Sequence, residues 1–140
     1  MPVPITGFSH VRLTVTDIAR SRAFYDGVFG FPVAYEIPAG ADAATQEQLS
    51  FLFGGIIYAM PGGLLGLRPV AASDDLFDED RVGLDHLSFA VADFTALEAA
   101  AKTLAELGVP FTPIKDLGTA HVLEFRDPDG IALEFLAAKR

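Results

Sequence analysis

The sequence contains no cysteine and no tryptophan, and its apolar stretches are short. Without cysteine there can be no disulfides, no thiolate nucleophiles and no cysteine-based zinc sites. Stretches such as Ile56 to Met60 and Leu64 to Leu67 fall far below the roughly 18 consecutive apolar residues of a membrane span, so no membrane role is expected. Basic residues are also scarce. Ten Lys and Arg against 19 Asp and Glu leave a net charge of −9, which repels nucleic acid and anionic lipid surfaces, so no nucleic-acid partner is expected. The opening Met1-Pro-Val-Pro-Ile-Thr-Gly7 has neither the basic region nor the apolar run of a secretory signal, and a cytoplasmic address is the resulting expectation.

What is present suffices for one folded domain over residues 1–140. Hydrophobic residues make up 51% and charged residues 21%, with no highly charged tract poor in apolar residues of the kind that stays disordered. Much of the acidity sits in Asp74, Asp75, Asp78, Glu79 and Asp80. That cluster lacks the regular ligand spacing and turn glycine of a calcium loop and reads as a solvated connector.

A repeat organises the chain. His10-Val-Arg-Leu-Thr-Val-Thr-Asp17 and His86-Leu-Ser-Phe-Ala-Val-Ala-Asp93 share His-x-x-apolar-x-Val-x-Asp at an offset of 76, and each leads into a helix-like segment. Those segments close alike, as Phe29-Gly-Phe-Pro-Val33 and Leu107-Gly-Val-Pro-Phe111, with Gly30 and Gly108 suited to helix C-caps. The fold class predicted is therefore α+β, two tandem βαβββ modules forming a curved mixed sheet around a cup. Module one spans about 5–68, a connector about 69–83, and module two about 84–138. Module-two elements are expected at 84–92, 94–107, 109–116, 119–127 and 130–137, the last two joined by the turn Asp127-Pro-Asp-Gly130. In module one the later strands are expected at 32–37, 48–60 and 63–68.

Strand alternation assigns faces. Val11, Leu13 and Val15 should pack under the first helix, leaving His10, Arg12 and Thr14 on the concave side. Leu87, Phe89 and Val91 play the same part in the second module, leaving His86, Ser88 and Ala90 concave. On the last strand Ile131, Leu133 and Phe135 form the apolar row, so Glu134 faces the cup between small neighbours. Glu124, alternating with Leu123 and Phe125, faces it too. Tyr58 and Met60 share a face that is either cup lining or core, and His121 reads as a surface or interface residue. Phe24, Tyr25, Phe29 and Phe31 read as helix and post-helix core.

These residues resemble the vicinal oxygen chelate superfamily, which includes glyoxalase I, methylmalonyl-CoA epimerase, fosfomycin-resistance transferases, extradiol dioxygenases and bleomycin-resistance proteins. The resemblance rests on the two His-to-Asp segments, Phe24-Tyr25, Gly30-Phe31 and the ending Phe125-Arg-Asp-Pro-Asp-Gly-Ile-Ala-Leu-Glu134-Phe. It implies that His10, His86 and Glu134 are the ligands of one divalent metal ion. Two imidazoles and a carboxylate suit iron, manganese, zinc, nickel or cobalt without separating them. The resemblance also implies a small-molecule substrate chelated through adjacent oxygens and a homodimer in which sites are shared between chains. The alternative it carries is a metal-free binding or sequestration protein of the bleomycin-resistance type.

Departures from the family pattern narrow the chemistry. Glyoxalase I and the epimerase add a fourth ligand from the last strand of module one, where alignment places Leu65, which cannot bind metal. Extradiol and fosfomycin-resistance enzymes tend to have Tyr where Glu124 stands; the extradiol His falls near Lys115 to Leu117, and the late Arg of the transferases is missing. Glu124 is a candidate general base or a rim carboxylate paired with Arg12 or Arg126. Arg12 is a candidate anchor for an anionic substrate group or a counter-charge to Glu124 or Glu134. The sequence therefore predicts a metal-dependent lyase, isomerase or dioxygenase.

Overall fold

A computed structural model describes all residues, 1–140. The elements run β1 (His10–Thr14), α1 (Ile18–Val28), β2 (Val33–Tyr35), α2 (Ala43–Gln48), a 3-10 turn (Ser50–Leu52), β3 (Ile56–Met60), β4 (Gly63–Arg68), β5 (Leu87–Ala90), α3 (Phe94–Glu106), β6 (Lys115–Asp116), β7 (Ala120–Arg126) and β8 (Ala132–Ala138). The chain divides into two compact units, Met1–Asp74 and Asp75–Arg140. Each holds one four-stranded mixed sheet, in the orders β1-β4-β3-β2 and β5-β8-β7-β6. In both, the first strand runs parallel to the last and the remaining pairs are antiparallel, so the α+β fold of two βαβββ modules stands.

The repeat has a physical cause at each of its fixed points. Asp17 and Asp93 are the N-caps of α1 and α3: their carboxylates accept from the amides of Arg20 at 3.0 Å and Ala96 at 2.9 Å. Each satisfies a donor that the first helical turn leaves open. At the other end Gly30 (φ 62°) and Gly108 (φ 70°) take the left-handed conformation that ends a helix and that side chains disfavour. Between the caps, Ser21 and Tyr25 bury one side of α1, while Leu97 and Leu104, seven residues apart, bury one stripe of α3. In the second unit Asp127 closes the β7–β8 turn, accepting from the amides of Asp129 and Ile131, both at 2.9 Å.

Several expected strands are shorter than the sequence suggests, most clearly 48–60, 84–92 and 109–116. Residues 48–55 are not strand: Asp42 caps α2 through the Thr45 amide at 2.8 Å, and the 3-10 turn follows. Phe53 then sits at φ 51°, a left-handed backbone that no strand accommodates. Gly55, two residues on, packs against the Leu67 carbonyl, where an added Cβ would lie 1.8 Å from the oxygen. In the second unit the segment 109–116 makes only the isolated bridge Phe111↔Phe125 and the short β6. Pro110 and Pro113 lack the amide donors that a full ladder needs. His86 precedes β5 rather than lying within it.

The faces are as alternation predicts, with one resolution. Leu13, Val15, Leu65 and Leu67 are buried beside Tyr58, which is fully buried, so Tyr58 is core rather than cup lining. Its hydroxyl donates to the Asp26 carboxylate of α1 at 2.8 Å. Burial, together with the neighbouring Asp26 charge, pushes the Tyr58 hydroxyl well above its ordinary value of 10.0. The folded chain then holds this proton more tightly than the unfolded chain does. Its contribution is intact below pH 10.0, the unfolded value, and is lost as pH rises beyond it. Urea midpoints measured up the alkaline range should fall less steeply in Tyr58→Phe than in the wild type.

Candidate metal and substrate site

The second unit contains a cavity of about 730 Å³ whose lining includes His86, Phe111, Glu124, Asp127 and Glu134. Strand register builds its floor. Ser88 on β5 is paired with Glu134 on β8, and Glu134 with Glu124 on β7, which sets three polar side chains in one row across the sheet. The Ser88 hydroxyl donates to Glu134 Oε1 at 2.7 Å, and Glu134 Oε2 stands 4.0 Å from His86 Nε2. His86 Nδ1 is held by the Asp85 carboxylate at 2.5 Å. Both candidate ligands are thus oriented from behind, the arrangement by which carboxylates and hydroxyls aim metal-binding atoms. The hydrogen bond to Asp85 raises the His86 pKa above the ordinary imidazole value against partial desolvation, with further help from the charges of Glu134, Asp85 and Glu124.

Glu124 is ion-paired with Lys115 at 3.1 Å, both side chains about half exposed. Lys115, rather than Arg12 or Arg126, is its partner. Arg126 is engaged by Glu79, in a two-point contact, and by the Gly130 carbonyl at 2.8 Å. That hydrogen-bonded pair with Arg126 holds the Glu79 carboxyl down to about 2. Glu79 therefore belongs to a structural contact of the second unit. Asp75 and Asp78 accept from the nearby amides of Leu76 and Asp80, as local turn caps.

The first unit carries the other two candidates. His10 Nδ1 lies 2.9 Å from Ser9 Oγ, so the residue before each repeat histidine engages the same ring nitrogen, Ser9 here and Asp85 in the second copy. Arg12 donates from Nη2 to the Phe51 carbonyl at 2.6 Å, and its Nε is buried without a partner. The β1–β4 register pairs Arg12 with Gly66, just as Ser88 pairs with Glu134. Gly66, not Leu65, therefore occupies the position that corresponds to Glu134, while Leu65 is buried toward the core. An added Cβ at Gly66 would lie 2.7 Å from Arg12 Cγ: the stem of Arg12 fills the place where a ligand side chain would stand.

The second unit brings together His86, Glu134 and Glu124; His10 and Arg12 are in the first. Within neither unit do three His, Asp or Glu side chains converge as a metal-binding group. Sequence reasoning missed Asp85, Ser88 and Lys115 as partners. Two were signalled, since Asp85 adjoins His86 and Ser88 lies two residues on, on the same face. His121 stacks edge-on against Phe94, with ring centroids 4.8 Å apart, and lies 3.7 Å from Asp116, outside this cavity.

The sequence profile of the Glyoxalase/Bleomycin resistance protein/Dioxygenase superfamily matches residues 7–135. No sequence among the curated proteins matches. Among solved structures, a glyoxylase/bleomycin resistance protein/dioxygenase domain from Frankia sp. EAN1pec is 33% identical, with 98% of this chain and 95% of that chain covered and a TM-score of 0.77. The fosfomycin resistance protein FosX of Listeria monocytogenes, a mutant complexed with Mn(II) and a dihydroxypropylphosphonic acid, is 20% identical over 97% of this chain and 95% of that one, with a TM-score of 0.73. Lactoylglutathione lyase from Agrobacterium tumefaciens is 18% identical, covering 96% of each chain at a TM-score of 0.69. The two latter likenesses are of fold; the profile match and the Frankia domain go further, and the chain belongs to the Glyoxalase/Bleomycin resistance protein/Dioxygenase superfamily.

Proposed function

We propose that the chain is a metal-dependent enzyme of the glyoxalase/dioxygenase type, acting on a small substrate that presents adjacent oxygens. The observation that carries this reading is the pre-oriented pair His86 and Glu134. With Nδ1 held by Asp85 and Oε1 by Ser88, the remaining Nε2 and Oε2 stand 4.0 Å apart over the cavity floor. These donors fit a borderline divalent ion, with His10 as the third ligand. The Listeria FosX complex with Mn(II) supports such a site at the level of the fold. When bound, the ion would polarise the substrate oxygens and stabilise negative charge on them.

The chain's own residues supply the rest. Glu124 lies next to Glu134 in the row and is the base that takes a proton from the bound substrate. Its pair with Lys115 is solvent-exposed, worth about 0–1 kcal/mol, so a substrate can displace it cheaply. Arg12 anchors an anionic group of the substrate. In this reading the site is shared across a two-fold homodimer, with His10 from one chain and His86 and Glu134 from the other.

Metal analysis of untagged protein purified without chelator tests the reading: about one divalent ion per chain is expected from a single site of two histidines and one carboxylate. A protein that folds, binds small aromatic ligands and never takes up metal would instead be a sequestration protein. Glu124→Gln should retain fold and metal but lose turnover by about 100-fold or more, the usual range for a removed general base. Full activity in that variant would return Glu124 to a purely structural pair with Lys115.

A further inference from the structure

In a chain of net charge −9, four of the ten Lys and Arg residues form ion pairs with carboxylates: Arg22 with Glu36, Arg126 with Glu79, Lys115 with Glu124 and Lys139 with Asp116. Arg12 and Arg68 do not. Both are half-buried on the open face of the first sheet, and both guanidinium groups lie against Phe53, at 5.9 Å and 4.2 Å from the ring centroid. Cation–π stacking at such distances holds a guanidinium while leaving its in-plane N–H donors free for an oxyanion. Arg12 is further pinned by the Phe51 carbonyl, at 2.6 Å.

The surroundings are aromatic and exposed. The strand registers run Arg12, Gly66, Ile57 and Tyr35 in one row across the sheet. Phe51 stands edge-on to Tyr35 with ring centroids 6.2 Å apart, and Tyr35, Phe51 and Phe53 are all more than 40% exposed. Phe53 reaches its place through a left-handed backbone, which a non-glycine residue rarely adopts without a reason in its surroundings. The second unit's cavity is the more acidic, its lining holding five carboxylates against Arg126 and His86. Of the two places, the arginine pair is the better suited to an anionic group.

We infer that Arg12, Arg68 and Phe53 form an oxyanion site on the first unit, and that its ligand is an organic anion, carboxylate or phosphonate, joined to a planar apolar body that packs on Tyr35 and Phe51. The inference extends the reading of Arg12 as the substrate's anchor, and it names the class of substrate. The two repeat copies are thereby differentiated at one position: where the second has the carboxylate Glu134, the first has Gly66 and an arginine stem laid across it.

The test uses the full chain stripped of metal by chelator, with benzoate, phenylphosphonate and the neutral benzyl alcohol as probes, followed by NMR shift titration at low salt. Benzoate or phenylphosphonate should bind at least about tenfold more tightly than the alcohol, and Arg68→Gln should remove about that factor, the usual size of a charge-assisted hydrogen bond. Which of the two acids binds better identifies the anionic group. Phe53→Gly, which suits the left-handed backbone, should keep the fold and weaken both acids. Arg12→Gln is the riskier variant because its stem packs on Gly66, so folded Arg68→Gln decides. Equal affinity for acid and alcohol, or unchanged affinity in Arg68→Gln, would overturn the site. Metal content measured separately keeps the outcomes apart: anion binding without metal uptake contradicts only the metal reading, and metal uptake without anion binding contradicts only this one.

Discussion

Glu134→Ala is expected to weaken binding of Mn(II) or Zn(II) to the chelator-treated chain by more than about 100-fold, beyond the roughly 10- to 100-fold range typical of residues that only orient ligands. Ser88→Ala, which leaves the carboxylate but frees its Oε1, should fall within that smaller range. Folding stability should change little. Glu134 and Glu124 are direct cross-strand partners, and two like charges so placed cost roughly 0.2–1 kcal/mol. Removing Glu134 relieves that repulsion but loses the Ser88 hydrogen bond, worth about 0.5–1.5 kcal/mol, so the metal-free chain should stay within about 1 kcal/mol of the wild type, measured by urea unfolding. Lost metal with unimpaired folding is the signature of a ligand. Loss of folding together with metal would mark Glu134 as a structural residue, and loss of neither would remove it from the proposed site.

Mixed dimers made from His10→Ala and Glu134→Ala chains should recover about one metal site per dimer, although each parent homodimer binds poorly. The reasoning follows from two-fold symmetry. In the shared arrangement, one site of the mixed species loses both altered ligands. The other is intact, with His10 from the Glu134→Ala chain and His86 with Glu134 from the His10→Ala chain. If all three ligands instead come from one chain, every site in the mixture lacks one and nothing is recovered. Co-expression with two different tags, isolation of the verified heterodimer and metal analysis separate these cases.

The legible parts of the fold are those where one residue type has one physical task. Asp17 and Asp93 recur because each caps a helix, and Gly30 and Gly108 because each ends one in a left-handed turn. The closing turn at Asp127 is equally plain, its carboxylate bonding two amides. By contrast α2 lies mostly in a stretch to which the sequence assigns no element, and the 3-10 turn reads as strand, since such short helices show no period and the α2 cap, Asp42, gives little warning alone. Within the candidate site, alternation places His86, Ser88, Glu124 and Glu134 on the right face. It does not tell Leu65 from Gly66 as the counterpart of Glu134. A shift of one residue reverses every side chain of a strand, and only the parallel pairing of Arg12 with Gly66 fixes that register. The partner of Glu124 is hidden for a similar reason: Lys115 reaches it from a segment whose two prolines mask its strand character.

X-ray absorption at the zinc edge of the Zn(II)-loaded chain tests the ligand set most directly. With no cysteine in the sequence, thiolate sulfur cannot contribute, and imidazole gives a distinctive outer-shell scattering pattern. The expected spectrum has two imidazole rings with oxygen donors, and His86→Ala, if it retains any zinc, should show one ring fewer. A shell of oxygen alone, or two rings that persist in His86→Ala, would contradict the site built on His10, His86 and Glu134.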